Sequence, residues 1–317
     1  MCTLDILETQ GGMSLIQQIP QLSGEASTAS VGKAPRSVVI IGHGSLHPGA
    51  GRDLVRLASH VSQSRAGLTA SPAFISLSRP TFLEALSRHA AGGAHEVIVV
   101  PYFLTFGRTL RDDLAVLFNS ARGLFPHLQL RVTRPLGDHP AVGKLLLQRA
   151  LEADYLHAHP FITYHSHRRD FGEGAAWQPM HRLCPTALLI IAHGCPEARA
   201  NQPIYAVARQ LRATAGFATV QVCFTHLHRP HVLEAIDRLF TRNIHNSIAV
   251  PYFLNLGNQV AIELPALLAT ARVRHPDGLL LLADHLSFDR ALVSLVIDRI
   301  DEISTREEAL RSNTKSG

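Results

Sequence analysis

One long segment occurs twice in this chain. Residues 37–114 begin SVVIIGHGS, continue through FISLSRPTFLEAL and end VIVVPYFLTFGRTLRDDL. Residues 187–264 begin ALLIIAHGC, continue through CFTHLHRPHVLEAI and end SIAVPYFLNLGNQVAIEL. The copies align without a gap at an offset of 150 residues, so His43 corresponds to His193 and Gly107 to Gly257. A repeat of this length indicates a duplicated domain rather than a solenoid unit.

Each copy alternates apolar strand-like runs with helix-length segments, which predicts α/β modules built on parallel sheets flanked by helices. Predicted strands lie at 37–42, 73–77, 96–101 and 129–135, and at 187–192, 220–227, 247–251 and 279–283. We divide the chain into a flexible segment (1–34), a first repeat (35–151), a histidine-rich linker (152–185), a second repeat (186–303) and a polar tail (304–317). Ligands of parallel sheets bind beyond the carboxyl ends of the strands, where the histidines of both copies fall.

Composition narrows the class of function. Hydrophobic residues make up 46% of the chain and charged residues 17%, which is enough for buried cores. The net charge of +5 comes from scattered residues without a basic stripe or reading motif, so we expect a small anionic ligand and no nucleic acid. No apolar run is long enough for a membrane span. The four cysteines form no CxxC pair and no disulfide-like spacing, which predicts a reducing cytoplasm.

The strand ending in HGS, the second strand leading to a proline and a helix, and the PYFLxxG loop occur in this order twice. Together they resemble the class II chelatases of the sirohydrochlorin cobaltochelatase and ferrochelatase type, over about residues 36–150 and 186–303. The resemblance implies a pseudo-dimer with a central cleft, in which Co2+ or Fe2+ is inserted into sirohydrochlorin without ATP. It implies a tetrapyrrole partner and a divalent metal ion (Co2+, Fe2+, Ni2+ or Zn2+).

Two positions depart from the pattern of that family. The histidine that usually follows the glycine of the PxFLxxG loop by two residues is Thr109 in the first copy and Gln259 in the second. The glutamate that often follows the phenylalanine of the second strand by two residues is Ser76 or His226. Hydroxyl and amide groups are poor substitutes for imidazole as ligands of these metals. We therefore expect an altered metal site.

The second copy contains residues that could form such a metal site. His226 and His228 are two residues apart and would share one face of an extended strand beside the one ending at His193. Cys195, which replaces Ser45, adds a soft donor. We predict His193, His226 and His228 as metal ligands, with His43 as a facing ligand or base and with His43 and His193 as catalytic residues. Alternatively, His226 and His228 are polar strand-end residues that hydrogen-bond to loops.

Other residues are candidates for substrate binding. The linker run YHSHRRDFGEG contains Arg168 and Arg169, which suit a lid that meets substrate carboxylates, a weak metal-collecting tract, or a solvated connector. The remaining candidates lie at strand ends and on the PYFL loops: Ser45, Cys195, Arg108, Thr109 and Gln259. Glu84 and Glu234, one turn into a helix, predict helix capping.

Three functions of different class remain at this stage. The first is a chelatase-like enzyme with an altered metal site. The second is a noncatalytic tetrapyrrole or metal carrier, and the third is another enzyme on the same scaffold. The sequence leaves open whether the chain is a monomer or a homodimer.

Overall fold

The computed structural model describes residues 36–45, 49, 51–159 and 179–314. The predicted flexible segment 1–34 and most of the predicted linker, including Arg168 and Arg169, lie outside the described residues.

Two parallel four-stranded sheets form the frame of the molecule. The first sheet has the order β2-β1-β3-β4 and the second the order β6-β5-β7-β8. The strands of the first sheet are β1 (Arg36–Gly42), β2 (Leu68–Phe74), β3 (Glu96–Pro101) and β4 (Gln129–Val132). Those of the second are β5 (Thr186–Ala192), β6 (Thr219–Phe224), β7 (Asn246–Pro251) and β8 (Leu279–Leu282). The apolar runs of β1 and β5 lie in the middle of each sheet, buried on both faces as continuous apolar strands should be.

Helices cover both faces of each sheet. In the first module they are α1 (Arg52–Ser64), α2 (Phe82–Ala91), α3 (Arg108–Leu124) and α4 (Pro140–Ala158). After the short helix α5 (Met180–Leu183), the second module contains α6 (Gln202–Thr214), α7 (Val232–Phe240), α8 (Leu264–Arg274) and α9 (Arg290–Thr314). A π-helical turn at Gln259–Glu263 precedes α8. The α/β fold predicted from the repeat is confirmed.

The outer faces of the two sheets have separate cores, whereas the inner faces share one. Helices α2 and α3 pack on the outer face of the first sheet, and α7 and α8 on that of the second. Between the sheets, residues of both modules form a single apolar cluster. Within it, α4 packs against β7 and β8 of the second module, and α9 packs against β3 of the first. The modules thus exchange their last helices across the interface.

Two buried arginines at equivalent positions hold this interface. Arg149 of α4 is completely buried and pairs with Glu152, while also reaching Asp289 of the second module at 3.0 Å and two main-chain carbonyls there. Arg299 of α9 pairs in the same way with Glu302 and reaches Asp138 of the first module. The helices α4 and α9 continue past the predicted repeat ends at 151 and 303, to Ala158 and Thr314.

Two predicted strands were placed too far along the chain. The second strand of the first copy was predicted at 73–77, but β2 spans Leu68–Phe74. The matching strand was predicted to run to residue 227, but β6 ends at Phe224 and a series of bends follows. In both modules the main chain then turns back to hydrogen-bond with the carbonyl of the HG turn, at His43 or His193. That contact ends the strand before the next apolar residues.

Helices α2 and α7 begin just after a proline. Thr81 and His231, which follow Pro80 and Pro230, are their N-caps. The predicted capping role of the glutamates is confirmed. Glu84 accepts a hydrogen bond from the main-chain N–H of Thr81, which lowers the pKa of its carboxyl group, and Glu234 does the same at His231.

Over the described part of the chain, no helix combines the length and the apolar character needed to cross a bilayer.

Candidate functional site

The candidate site is a cavity of about 310 Å³ between the two modules. His43 follows β1 and His193 follows β5, and both side chains line this one cavity. The predicted central cleft, with one histidine from each copy, is therefore present. The loops after β3 and β7 form the walls, with residues Tyr102, Phe103, Leu104, Thr105, Tyr252, Phe253, Leu254 and Asn255.

The side chain of His43 packs against an apolar residue. Its ring meets Phe103 edge to face at 4.8 Å between centroids, and its solvent-facing side opens into the cavity. The surrounding protein removes water from the imidazole and lowers its pKa, although the charge of Asp113 acts in the opposite direction. The histidine is consequently neutral near pH 7 and able to accept a proton or a metal ion.

His193 has a more polar environment. Its Nδ1 contacts the side-chain amide of Gln259 and lies 3.5 Å from the hydroxyl oxygen of Thr225. Burial is the main cause of the lowered pKa of His193, and the neighbouring His226 lowers it further, while Glu263 opposes both. Gln259, predicted to bind substrate, thus lies in the cavity and orients the imidazole of His193.

His226 and Glu263 extend this group toward solvent. The rings of His193 and His226 are 5.4 Å apart between centroids. The Nε2 atom of His226 is 3.7 Å from a carboxylate oxygen of Glu263, at the end of the π-helical turn. That oxygen is buried and has no hydrogen-bond partner among the described residues. His193 in the cavity, His226 and Glu263 therefore form a series that leads from the cavity to the solvent.

The structure does not bring His228 and Cys195 into this group. Because β6 ends at Phe224, the extended geometry expected to align His226 with His228 is absent, and the His228 ring packs edge to face on Phe224. The Cys195 thiol faces Gly107 of the first module so closely that a Cβ atom there would lie 2.6 Å from the sulfur. The contacts of these two side chains lead away from the group around His193, and their role as ligands stays a prediction.

No set of three or more histidine, cysteine or acidic side chains within the described ranges is arranged to hold a metal ion by itself. The rebuilt site with up to four protein ligands is therefore not preassembled. The pair His193–His226, with Glu263 beside it, is what the second module presents.

The remaining substrate-binding candidates lie outside the cavity. Thr109 is exposed in the first turn of α3. Arg108 is also exposed, and its main-chain N–H donates to Glu197 of the second module. The same Glu197 pairs with Arg111 at 2.9 Å, so this turn joins the modules. Ser45 exchanges hydrogen bonds with Ser78 beside a different pocket.

Sequence reasoning missed three contributors. Tyr102 and Tyr252 of the repeated PYFL motif line the cavity from both modules, and their repetition was the available signal. Glu263, four residues after Gln259, was not among the predicted site residues. A carboxylate one helical turn beyond a strand-end loop was the signal that could have found it.

A family model described as CbiX matches residues 37–153 and again 187–303. A sirohydrochlorin cobaltochelatase of Priestia megaterium is 22% identical over 268 residues, covering 84% of this chain and 79% of that protein. A sirohydrochlorin cobaltochelatase of Methanothermobacter thermautotrophicus is 27% identical over 131 residues, covering 37% of this chain and 91% of that protein. Among solved structures, SirB from Bacillus subtilis with Fe3+ superposes with a TM-score of 0.69 at 17% identity, covering 86% of this chain and 97% of that one. That structure supports the fold.

Proposed function

Because the chain belongs to the CbiX family through both of its repeats, we propose that it is a chelatase that inserts a divalent metal ion into a tetrapyrrole of the sirohydrochlorin type. The observation that carries this proposal is the placement of His43 and His193, one from each module, on a single cavity between the modules. Relatives that act on sirohydrochlorin, by their names, support the substrate class.

The metal ion is a substrate of this reaction and has to leave the protein, so a partial ligand set suits it. Two imidazoles bound to one tetrahedral metal at about 2.0–2.1 Å have ring centroids roughly 5 Å apart. The 5.4 Å between His193 and His226 is compatible with that arrangement. Glu263 would supply a third donor or balance the charge. Co2+, Fe2+, Ni2+ and Zn2+ all accept imidazole and carboxylate ligands.

Gln259 would set the tautomer of His193. As placed, the Nε2 amide group of Gln259 contacts Nδ1 of His193 and would donate to it. A half-turn of the amide brings its oxygen to Nδ1, where it accepts the ring proton and leaves Nε2 of His193 free to bind metal. In this role Gln259 supports the ligand instead of replacing the histidine that the family usually carries at its position.

His43 of the first module faces His193 and His226 of the second. The position equivalent to His226 in the first module is Ser76, which is neither basic nor acidic. Its lowered pKa leaves it neutral. A tetrapyrrole loses two N–H protons when metal enters, and a neutral imidazole near pH 7 is a suitable acceptor for one of them. We therefore assign His43 as the base and His193 with His226 as the metal-binding side.

Purified protein tested with sirohydrochlorin and Co2+ decides between this function and a second one. Turnover that disappears in His43→Ala and His193→Ala supports the chelatase. The loss of the usual histidine at Thr109 and Gln259 favours the second candidate, a noncatalytic carrier. Stoichiometric binding of the tetrapyrrole without insertion, measured by its absorption spectrum, would identify the carrier and refute the enzyme.

A further inference from the structure

A second cavity, of about 530 Å³, lies on the first module beside the turn that follows His43. Helix α1 forms one wall and the turn after β2 forms another. Three arginines and a histidine line it: Arg52, Arg56, Arg79 and His60. Ser45 and Ser78 add hydroxyl groups, and no acidic residue lies among the described lining residues. The proposed function does not use this cavity.

The second module has the same architecture at this place but larger side chains. Gly51, Val55 and Ser78 of the first module correspond to Asn201, Tyr205 and His228. Asn201 is fully buried and bonds with the main chain of Cys195 through both ends of its amide. The rings of Tyr205 and His228 both pack against Phe224, the counterpart of Phe74. Small residues thus keep open in the first module a space that the second module fills.

The positive charge of Arg52 and Arg56 is also specific to the first module, because they correspond to Gln202 and Ala206 in the second. The imidazole of His60 corresponds to Gln210. Arg79 is paired with Glu84, and Arg56 lies over the ring of Phe288 at 4.2 Å. Arg52 has no acidic partner among the residues that the structure describes, and it is exposed to solvent. A guanidinium group pairs with carboxylates through two parallel hydrogen bonds, which a neutral glutamine does not reproduce.

We propose that this cavity is a carboxylate-binding pocket, built by Arg52 and Arg56 and kept open by Gly51 and Val55. The identity of the ligand rests on the proposed function: the pocket holds a carboxylate side arm of the tetrapyrrole, and the ring of that tetrapyrrole lies in the central cleft. The cavity begins at Ser45, two residues from His43. Because the first module alone has it, the pocket gives the macrocycle one orientation between two otherwise similar modules.

The test uses the full-length protein and fluorescence titration with metal-free uroporphyrin I, a stable porphyrin whose side chains end in carboxylates. Arg52→Gln, which introduces the residue of the second module, weakens binding about tenfold if one charge-assisted pair is lost. Val55→Tyr, which copies Tyr205, weakens it by filling the space. The matched control is Arg209→Gln, which removes one exposed charge from the equivalent helix α6 and leaves affinity within about twofold if net charge is unimportant.

Porphyrin binding that is equally affected by Arg52→Gln and Arg209→Gln would overturn the proposal. A free anion as the ligand is distinguished with citrate. If Arg52→Gln weakens citrate binding but leaves uroporphyrin binding unchanged, the pocket binds a free carboxylate and the assignment to the side arm is refuted. If uroporphyrin does not bind the unmodified chain, the proposed tetrapyrrole function fails, and Arg52-dependent citrate binding separately supports or rejects the pocket.

Discussion

The two modules have one fold but differ at both of the places where a ligand would meet them. At the central cleft, the second module has His193 in the cavity, with His226 and Glu263 beside it. The first module has His43 in the cavity, with Ser76 and Asp113 at the positions equivalent to His226 and Glu263. On the outside, the first module keeps an open pocket lined with arginines, and the second fills it. According to the two proposals above, the second module binds the metal ion and the first binds the anion.

Covalent duplication makes this difference possible. In a symmetric dimer every substitution occurs on both sides of the cleft, because the two subunits have one sequence. In a single chain of two modules, each copy varies alone. The shared elements, such as the PYFL loops and the capping boxes, hold the frame, and the substitutions at equivalent positions divide the chemistry.

The largest expected difference between equivalent positions concerns the interface arginines. Arg149→Leu leaves Glu152 and Asp289 without their partner, with 9% and 18% of their side chains exposed. Loss of one partner from a buried ion pair costs about 3–5 kcal/mol. In Arg299→Leu, Glu302 and Asp138 are 31% and 45% exposed and keep Arg134 as a partner, so the free energy of unfolding falls less. Urea unfolding of both variants measures this, and equal losses would show that the interface is energetically symmetric.

The next prediction concerns the metal-binding side. His226→Ser, which copies Ser76, lowers the affinity for Co2+ by about 100-fold or more, because one of two imidazole ligands is removed. Ser76→Ala in the first module changes it little, since a neutral hydroxyl is a poor ligand. Titration calorimetry with Co2+ makes the comparison. Similar affinities in the two variants would remove the second module from its proposed role.

A buried histidine in the first module predicts a difference in pH dependence. His89 corresponds to Leu239, is 8% exposed, and contacts the Ser71 hydroxyl through Nε2. Burial lowers its pKa below the ordinary 6.5, so the unfolded chain binds more protons and the fold loses stability as the pH falls below that value. The loss is at most about 1.4 kcal/mol per pH unit for one proton.

His89→Leu removes this contribution, while the cleft histidines His43 and His193, whose pKa values are lowered too, keep theirs. The free energy of unfolding of the variant should therefore fall less than that of the unmodified chain between pH 7 and pH 5. Parallel pH curves for the two proteins would contradict the prediction.

The smallest difference is expected at the tyrosines of the cavity wall. The Tyr252 hydroxyl donates to the carbonyl of Gly137 at 3.1 Å, whereas the buried Tyr102 hydroxyl has no partner among the described residues. Tyr252→Phe should cost about 1 kcal/mol of stability, and Tyr102→Phe should be neutral or slightly stabilising. Thermal unfolding of the ligand-free variants tests the order, and the reverse order would show that Tyr102 has the more valuable hydrogen bond.

The repeat was sufficient to predict the modules because the middle strands are continuous apolar runs. The edge strand β2 was misplaced because its sequence, LTASPAF, has no continuous apolar run and contains Pro72, which an edge strand tolerates. The following FISL looked more strand-like, but Leu77 has a positive φ of 61° in a turn. The apolar pattern therefore indicated the wrong end of this strand.

The candidate site was predicted only where its residues follow strands that the apolar pattern had located correctly. His43 and His193 follow well-predicted strands, and the structure places them on one cavity. His226 and His228 follow a strand whose end is fixed by hydrogen bonds to the carbonyl of His193, and sequence spacing carries no information about such a contact. Glu263 is placed by a π-helical turn, and its spacing of four residues from Gln259 was the signal in the sequence.

The exchange of the last helices means that neither copy is a closed folding unit. A fragment holding one repeat would carry a helix whose apolar side has lost its sheet, and a sheet that has lost its helix. Two such fragments can cover each other's apolar surfaces, as α4 and α9 cover the sheet of the opposite module here. A chain cut between the modules should therefore stay associated, and an isolated half should recover its core by pairing with a second copy of itself. The peptide connection raises the effective concentration of the halves, while the packing holds them together.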